Sequence, residues 1–318
     1  MTFRAHALPR TPGVWIRAAV MAALVMVAAP SLLAPVPAIA QAIQPEGLTR
    51  TLDPLPVTIR YQNRHHRVAD KVEEICQAEI PRIASELGLS AMTPIEIVIT
   101  TDARGYDRNL EHGMPRWGVA FAVLEDQRIL VDVNKATRSF NSLEEVVPHE
   151  LSHLLLFQKV PRVRFPIWFL EGLAQWQARE WSVVDGWQLA NSVWSGTAPR
   201  LRDMTYTYPL EEERAQAAYR VSYAAFTELF ADGGFQRLPE FLGAVAAHKN
   251  FDAAFLDFWG FPAGDYGTYF QDDLERRYHA KLLAIQSGPA FGLVALLFIA
   301  VIIRYAIRRH KTFEQLEE

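Results

Sequence analysis

The sequence predicts an α+β protein, in which a small mixed sheet and several helices form one domain that is followed by a C-terminal transmembrane helix. Apolar and polar residues alternate in short segments of the first half, a helical spacing takes over after Tyr208-Pro209, and an almost unbroken apolar run covers 289–303. The 318 residues, 50% of them hydrophobic, can bury a sizeable core, and the net charge of -4 gives no basic excess that would indicate nucleic-acid binding. Cys76 is the only cysteine, which excludes an internal disulfide and a cysteine-based zinc site.

The two ends of the chain predict its topology. Residues 1–40 look like a secretory signal peptide, because arginines precede an apolar run and Ala38-Ile39-Ala40 is an A-x-A cleavage site; an uncleaved anchor is the alternative. Residues 288–307 approach the ~20 apolar residues that a transmembrane helix needs, with a buried C-terminal helix as the alternative. Basic residues follow, so 308–318 is expected to be a cytoplasmic tail. The domain at 41–287 would then lie outside the cytoplasmic membrane, periplasmic or extracellular, anchored to it as a single-pass protein.

Hydrophobic periodicity assigns the elements of this domain in order. The segment 41–54 is expected to be an irregular lead-in. The predicted strands cover 57–61, 95–99, 117–124 and 128–133. The predicted helices cover 68–87 with Gly88 as its cap, then 219–230, 237–248, 251–258 and 269–278, besides two helices that carry the motif described next.

The segment VPHELSHLL, 147–155, carries the chemistry. His149, Glu150 and His153 form an H-E-x-x-H set, and at about 100° per residue the two histidines lie one turn apart on one helix face. Both imidazoles can then reach one metal ion. A hydrolytic zinc site needs three protein ligands and an open water position, so a third ligand is required, and Glu171 in WFLEGLA is the candidate. The alternative is that both histidines only pack in the core.

The residues around the motif predict two helices that approach each other closely. Ser142-x-x-Glu145 is a capping box that would begin the histidine helix, although Pro148 predicts a kink or a later start. Gly172 lies inside the second helix, where glycine costs about 1 kcal/mol relative to alanine. A residue this small lets two helix backbones come together.

These motifs resemble the glutamate zincins, the zinc metallopeptidases of the MA clan, and most closely the bacterial peptidase MA-like domain. The matching features are H-E-x-x-H, Glu171 at 18 positions after His153, P-x-W-x-x-E-G-x-A at 166–174, Trp117-Gly118 in an edge strand, and Tyr219-x-x-Ser222. The resemblance covers roughly 67–278. It implies a zincin-like fold, a zinc ion held by His149, His153 and Glu171, and Glu150 as the general base.

The resemblance also implies that Tyr219 donates a hydrogen bond to the oxygen that becomes negative during the reaction. Tyr223, one turn later, is the rival for this role, and simple packing of both rings is a third possibility. Two features depart from the family. Gln175 stands where thermolysin-like enzymes have an acidic residue that supports the metal ligands, so the group that orients the histidines is not identified. His112-Gly113-Met114-Pro115 does not match the aminopeptidase motif, which favours an endopeptidase over an aminopeptidase.

Together these features predict a membrane-anchored zinc metallopeptidase that hydrolyses peptide or protein substrates outside the cytoplasmic membrane. The edge strand at 117–121 is expected to pair with the backbone of an extended substrate. Two alternatives remain. The protein can be a noncatalytic zinc-containing module that binds a partner in the cell envelope, or a zinc hydrolase of another amide bond.

Overall fold

The computed structural model describes residues 47–101, 119–136, 143–209 and 211–287, together with Leu296. Within these ranges the chain forms five β-strands and nine α-helices around one main hydrophobic core. The predicted signal peptide at 1–40 and the predicted cytoplasmic tail at 308–318 lie outside the described residues. Both stay predictions.

The five strands form one mixed sheet. They are β1 (Leu48–Leu52), β2 (Val57–Tyr61), β3 (Ile95–Thr100), β4 (Ala120–Val123) and β5 (Arg128–Asp132). Their order is β1-β2-β3-β5-β4, in which β2, β3 and β5 run parallel and the two outer strands are antiparallel to their neighbours. The fold is therefore α+β. Trp117-Gly118, which the prediction placed in the edge strand, lies outside the described residues.

The first strand contradicts the expectation of an irregular lead-in over 41–54. Leu48–Leu52 pairs with β2 along its whole length. Its side chains are exposed or half-buried except for Leu52, which is 1% exposed. The strand therefore forms through backbone pairing with β2, and its sequence lacks the alternation of buried and exposed residues that would have predicted it.

The first helix, α1 (His66–Leu87), connects the parallel strands β2 and β3, as parallel neighbours require a crossover. Val72, Ile75 and Ile83 on its inner face are buried in the main core. The helix ends at Gly88, which has a left-handed φ of 63°. This is the glycine cap that the sequence predicted.

The remaining helices follow in chain order. They are α2 (Val133–Ala136), α3 (Leu143–Lys159), α4 (Ile167–Ala178), α5 (Val183–Trp194), α6 (Glu212–Leu229), α7 (Leu238–His248), α8 (Phe251–Trp259) and α9 (Ala263–Ser287). Helix α3 packs between α1 and α4, and α4 packs in turn against α6. The ring of Phe169 on α4 lies 5.4 Å from that of Phe226 on α6 and 5.7 Å from that of Phe241 on α7. These buried rings fix α4 in the centre of the helical half.

Two special residues shape the helices of the motif. Helix α3 begins at Leu143 and continues through Pro148, so it does not begin at the proline. Ser142 of the predicted capping box lies outside the described residues. A Cβ added to Gly172 would touch the carbonyl oxygen of Ser222 and lie 2.5 Å from Cβ of Phe226. Gly172 therefore permits a close backbone approach, and the partner is α6 rather than the histidine helix.

The predicted fold class included a C-terminal transmembrane helix, and this part of the prediction is corrected. Among the described residues, no helix is both long enough and apolar enough to cross a membrane. The longest of them, α9, carries charged side chains along its length, among them Asp265, Asp273 and Arg277. Of the predicted span at 288–307 only Leu296 is among the described residues. The prediction of a C-terminal transmembrane helix is withdrawn.

Candidate metal centre

The predicted ligands come from two adjacent helices. His149 and His153 lie one turn apart on α3, and Glu171 lies on α4, which packs against α3. The two imidazole rings have a centroid distance of 4.8 Å and meet edge to face. All three side chains are almost completely buried, between 0% and 2% exposed. The sequence spacing and the packing of two helices thus bring these residues to one point.

The ligand atoms converge on a small space. Nε2 of His149 lies 3.4 Å, and Nε2 of His153 3.9 Å, from Oε2 of Glu171. These three atoms are buried and have no hydrogen-bond partner within the described part of the chain. Buried polar atoms in folded proteins nearly always have a partner, and two imidazole nitrogens with one carboxylate oxygen are ligand atoms that zinc accepts. His149, His153 and Glu171 could therefore hold a metal ion.

Glu180 completes the support of this site. Nδ1 of His149 lies 3.0 Å from Oε1 of Glu180, a normal hydrogen-bond length. When Nδ1 carries the proton and donates it to this carboxylate, the lone pair of Nε2 is free for a metal ion. Helix α4 ends at Arg179, whose left-handed φ of 57° turns the chain so that Glu180 faces α3. Glu180 is the histidine-orienting residue that the sequence analysis did not identify.

Gln175, four residues after Glu171, connects two helices. Its Nε2 donates hydrogen bonds to the carbonyl oxygen of Glu171, at 3.0 Å, and to that of Tyr219, at 2.9 Å. The amide thereby joins the ligand helix α4 to α6. The carboxylate contact to His149 thus comes from Glu180, and Gln175 holds two helices together.

Glu150 lies beside the ligands and is 1% exposed. Burial raises the pKa of its carboxyl group to about 8, which the hydrogen bond from the backbone N–H of Ala122 on β4 partly opposes. Its Oε2 is buried and has no hydrogen-bond partner among the described residues. A carboxyl group with a pKa close to neutrality and one unpaired oxygen can accept and release a proton.

The electrostatics of the ligand set favour a bound cation. Burial raises the pKa of Glu171 to about 7, and the close approach of His149, whose Nε2 lies 3.4 Å from Oε2 of Glu171, opposes this shift. Burial, followed by the charge of His149, lowers the pKa of His153 well below its ordinary value. Without an added positive charge, these buried groups therefore tend towards their neutral forms. A divalent ion would hold Glu171 ionised and use the neutral imidazoles as ligands.

The two candidate tyrosines lie in different surroundings. Tyr219 is buried, and burial followed by the charge of Glu171 raises the pKa of its hydroxyl group well above the ordinary value. The ring of Tyr223 instead stacks on Trp181 at 4.3 Å, with 9° between the planes. Burial alone raises its pKa. Of these two tyrosines, Tyr219 is therefore the one whose hydroxyl group interacts electrostatically with a candidate metal ligand, Glu171.

Tyr208 is a further residue of the site that the sequence analysis missed. Its ring lies 5.0 Å from that of Tyr219, and burial followed by the charge of Glu171 raises its pKa well above the ordinary value. The only sequence signal was the Tyr208-Pro209 pair, which marks the end of a loop. Neither this position nor Glu180 has a fixed spacing from the metal motif that could have revealed it.

No protein-family model and no curated protein matches the sequence. The resemblance to the bacterial peptidase MA-like domain therefore depends on the motif residues alone, and it stays a prediction.

Proposed function

We propose that this protein is a zinc metallopeptidase of the glutamate zincin type. The observation that carries the proposal is the convergence of three buried ligand atoms from His149, His153 and Glu171, beside Oε2 of Glu150; within the described residues none of the four has a hydrogen-bond partner. Four ligand atoms around zinc at about 2.0–2.1 Å in a tetrahedron lie about 3.4 Å apart. Two of the three separations, 3.4 Å and 3.9 Å, lie near this value, and all three ligand atoms lie within 4.8 Å of one another. Two imidazoles and a carboxylate are a typical ligand set of catalytic zinc.

Three residues of the chain would have separate roles in peptide hydrolysis. A bound zinc ion would polarise the scissile carbonyl and make a water molecule more acidic. Glu150 accepts the proton of that water and delivers it to the leaving amine. Tyr219 donates a hydrogen bond to the carbonyl oxygen as it becomes negative. Glu180 keeps the ring of His149 in the orientation and tautomer that this arrangement requires.

Strand β4 supports a peptide as the substrate. It is the last strand of the described sheet, and the carbonyl of Val119 accepts a hydrogen bond from the N–H of Asp132 at 2.9 Å. Since alternate positions of an antiparallel pair are bonded, Ala120 and Ala122 direct their backbone groups away from β5. An extended peptide that paired with this edge would run past Glu150, which already bonds Ala122.

The proposal is tested with the purified full chain, zinc and a mixed peptide library. Glu150→Gln should retain zinc and fold and lose about 10²- to 10⁴-fold in cleavage rate, because an amide cannot accept the proton. Glu144→Gln is the matched control, since its side chain lies on the same helix and is 53% exposed. It should cleave normally.

The alternatives predict other outcomes of the same experiment. A noncatalytic zinc module would bind zinc without any chelator-sensitive cleavage, and a hydrolase of another amide bond would leave the library intact while it cleaves nonpeptide amides. If Glu150→Gln cleaves at the wild-type rate, Glu150 is not the base.

A further inference from the structure

Among the described residues, three buried polar atoms beside the metal centre have no partner in ordinary hydrogen-bond geometry, although the hydroxyl groups of Tyr208 and Ser222 interact with each other. They are Oη of Tyr208, Oγ of Ser222 and Nε of Arg220. Ser222 is completely buried, and the side chain of Arg220 is only 15% exposed. Folded proteins leave few such atoms unpaired, and a cluster of them points to a ligand that completes their hydrogen bonds.

This group adjoins the metal ligands through helix packing. Arg220 and Ser222 belong to α6, directly after Tyr219, and the backbone of Ser222 touches Gly172, the residue next to Glu171. Tyr208 reaches the same region from the preceding loop, with its ring 5.0 Å from that of Tyr219. These three side chains therefore adjoin the elements that carry the metal ligands.

The chemistry of the group favours an anion. The Nε–H of Arg220 can only donate, and the two hydroxyl groups can donate as well. Oδ1 of Asp185 lies 3.7 Å from Nε of Arg220, so the two side chains form an ion pair but no hydrogen bond at Nε. The N–H of Arg220 and a hydroxyl donor beside it match the acceptors of a carboxylate.

We propose that Arg220, Tyr208 and Ser222 bind a carboxylate group of the substrate, and that the enzyme selects peptides which carry one near the scissile bond. This inference rests on the proposed peptidase function and names its substrate class. The carboxylate can be the free C-terminus of the peptide or an Asp or Glu side chain. The donors recognise the same group in both cases.

The test measures peptide binding to the zinc-loaded Glu150→Gln protein, which holds a substrate without turning it over. Three fluorescent peptides are compared. The first two have the same sequence, which contains an Asn, and end in a free carboxylate and in an amide, respectively. The third ends in an amide and has an Asp in place of the Asn, so the second peptide is the neutral one. The peptides with a carboxylate should bind about 10- to 100-fold more tightly than the neutral one, as expected for a charge-assisted hydrogen bond. Tight binding of the first alone identifies C-terminal recognition, and tight binding of the third alone identifies side-chain recognition.

Variants in the same background assign the effect to the group. Arg220→Gln should abolish the preference, and Tyr208→Phe, which keeps the ring, should reduce it severalfold. Arg214→Gln removes an exposed arginine from the same helix and should leave the preference unchanged. If Arg220→Gln does not fold, Tyr208→Phe carries the test alone.

The two proposals fail differently. Equal binding of all three peptides, as expected for a pocket that holds only water, overturns the carboxylate site, and so does a preference that persists in both Arg220→Gln and Tyr208→Phe. Neither result affects the metallopeptidase proposal. That proposal fails instead if the zinc-loaded wild-type chain cleaves none of the peptides and no member of the library.

Discussion

Replacement of Glu180 is expected to weaken zinc binding without unfolding the protein. Glu180 is 7% exposed at its side chain, and its Oε1 lies 3.0 Å from Nδ1 of His149, so solvent screens this hydrogen bond little. In the zinc-loaded protein, where His149 would donate to an ionised Glu180, Glu180→Gln keeps the size and one acceptor but removes the charge, and a charge-assisted hydrogen bond is about twice as strong as a neutral one. The loss of roughly 1.4 kcal/mol corresponds to about a tenfold higher Kd for zinc. Glu180→Ala leaves Nδ1–H unpaired, which should raise Kd by about 100-fold.

Competition against a chromogenic chelator measures these affinities. The metal-free Glu180→Gln protein should not melt at a lower temperature than the wild type, because burial, followed by the charges of Glu145 and Asp185, already raises the pKa of Glu180 well above its ordinary value. Burial of the neutral amide of glutamine therefore costs no more free energy than burial of the carboxyl group that it replaces. Glu212→Gln is the control, because it removes the same charge from an exposed position in the first turn of α6. An unchanged zinc affinity in both Glu180 variants would refute its role in orienting His149.

Three other perturbations test the remaining parts of the site. Tyr219→Phe should lower kcat by about 10²- to 10³-fold with zinc retained, whereas Tyr223→Phe should be nearly normal; normal rates in both would leave the reacting oxygen without a tyrosine donor. Gly172→Ala should gain about 1 kcal/mol from the higher helix preference of alanine, but the added methyl group would clash with α6 and cost more than that. Urea denaturation should therefore show that the free energy of unfolding falls by about 1–3 kcal/mol, and an increase would contradict the close approach of the two helices. In the metal-free protein, the pKa values of Glu171 and Glu150 are about 7 and about 8, above the ordinary value of 4.5, so the folded state holds more protons than the unfolded state. These two carboxyl groups therefore lower the Tm as the pH rises from about 4.5 to about 8, and His153, whose pKa is lowered, acts in the opposite direction below about pH 6.5. The net fall in Tm should lie between about pH 6.5 and about pH 8, and a rise in Tm over this range would contradict the burial of these carboxyl groups.

The sequence predicted the parts of the site that depend on local geometry. His149, Glu150 and His153 lie within two turns of one helix, so their spacing alone sets their common face. Glu171 required a further argument from ligand number and family spacing, and the structure brings it to the same point. Glu180 could not be found in this way, because its position depends on the left-handed turn after α4 and on where α3 lies in space.

Elements without an internal pattern were also missed. Strand β1 is defined by its pairing with β2, and hydrophobic alternation cannot reveal a strand whose side chains are mostly exposed. Tyr208 lies in a loop, and only the tertiary fold places its ring beside Tyr219. The C-terminal transmembrane helix was predicted from composition alone, without a packing partner or a motif, and it is the part of the fold class that was wrong.

The connection between α4 and α6 has a consequence for how this site can change during evolution. Gly172 and Gln175 lock the two helices together at the level of the ligand, by close contact and by the hydrogen bond to Tyr219. The chain between them, from 179 to 211, is thus an excursion whose two ends are fixed. Leu189, Val193, Leu201 and Met204 of this excursion are buried in the main core, so insertions are best accommodated at its exposed turn, 194–197. In the proposed peptidase, a change at Tyr208 would alter substrate preference while Glu171 and Tyr219 keep their places.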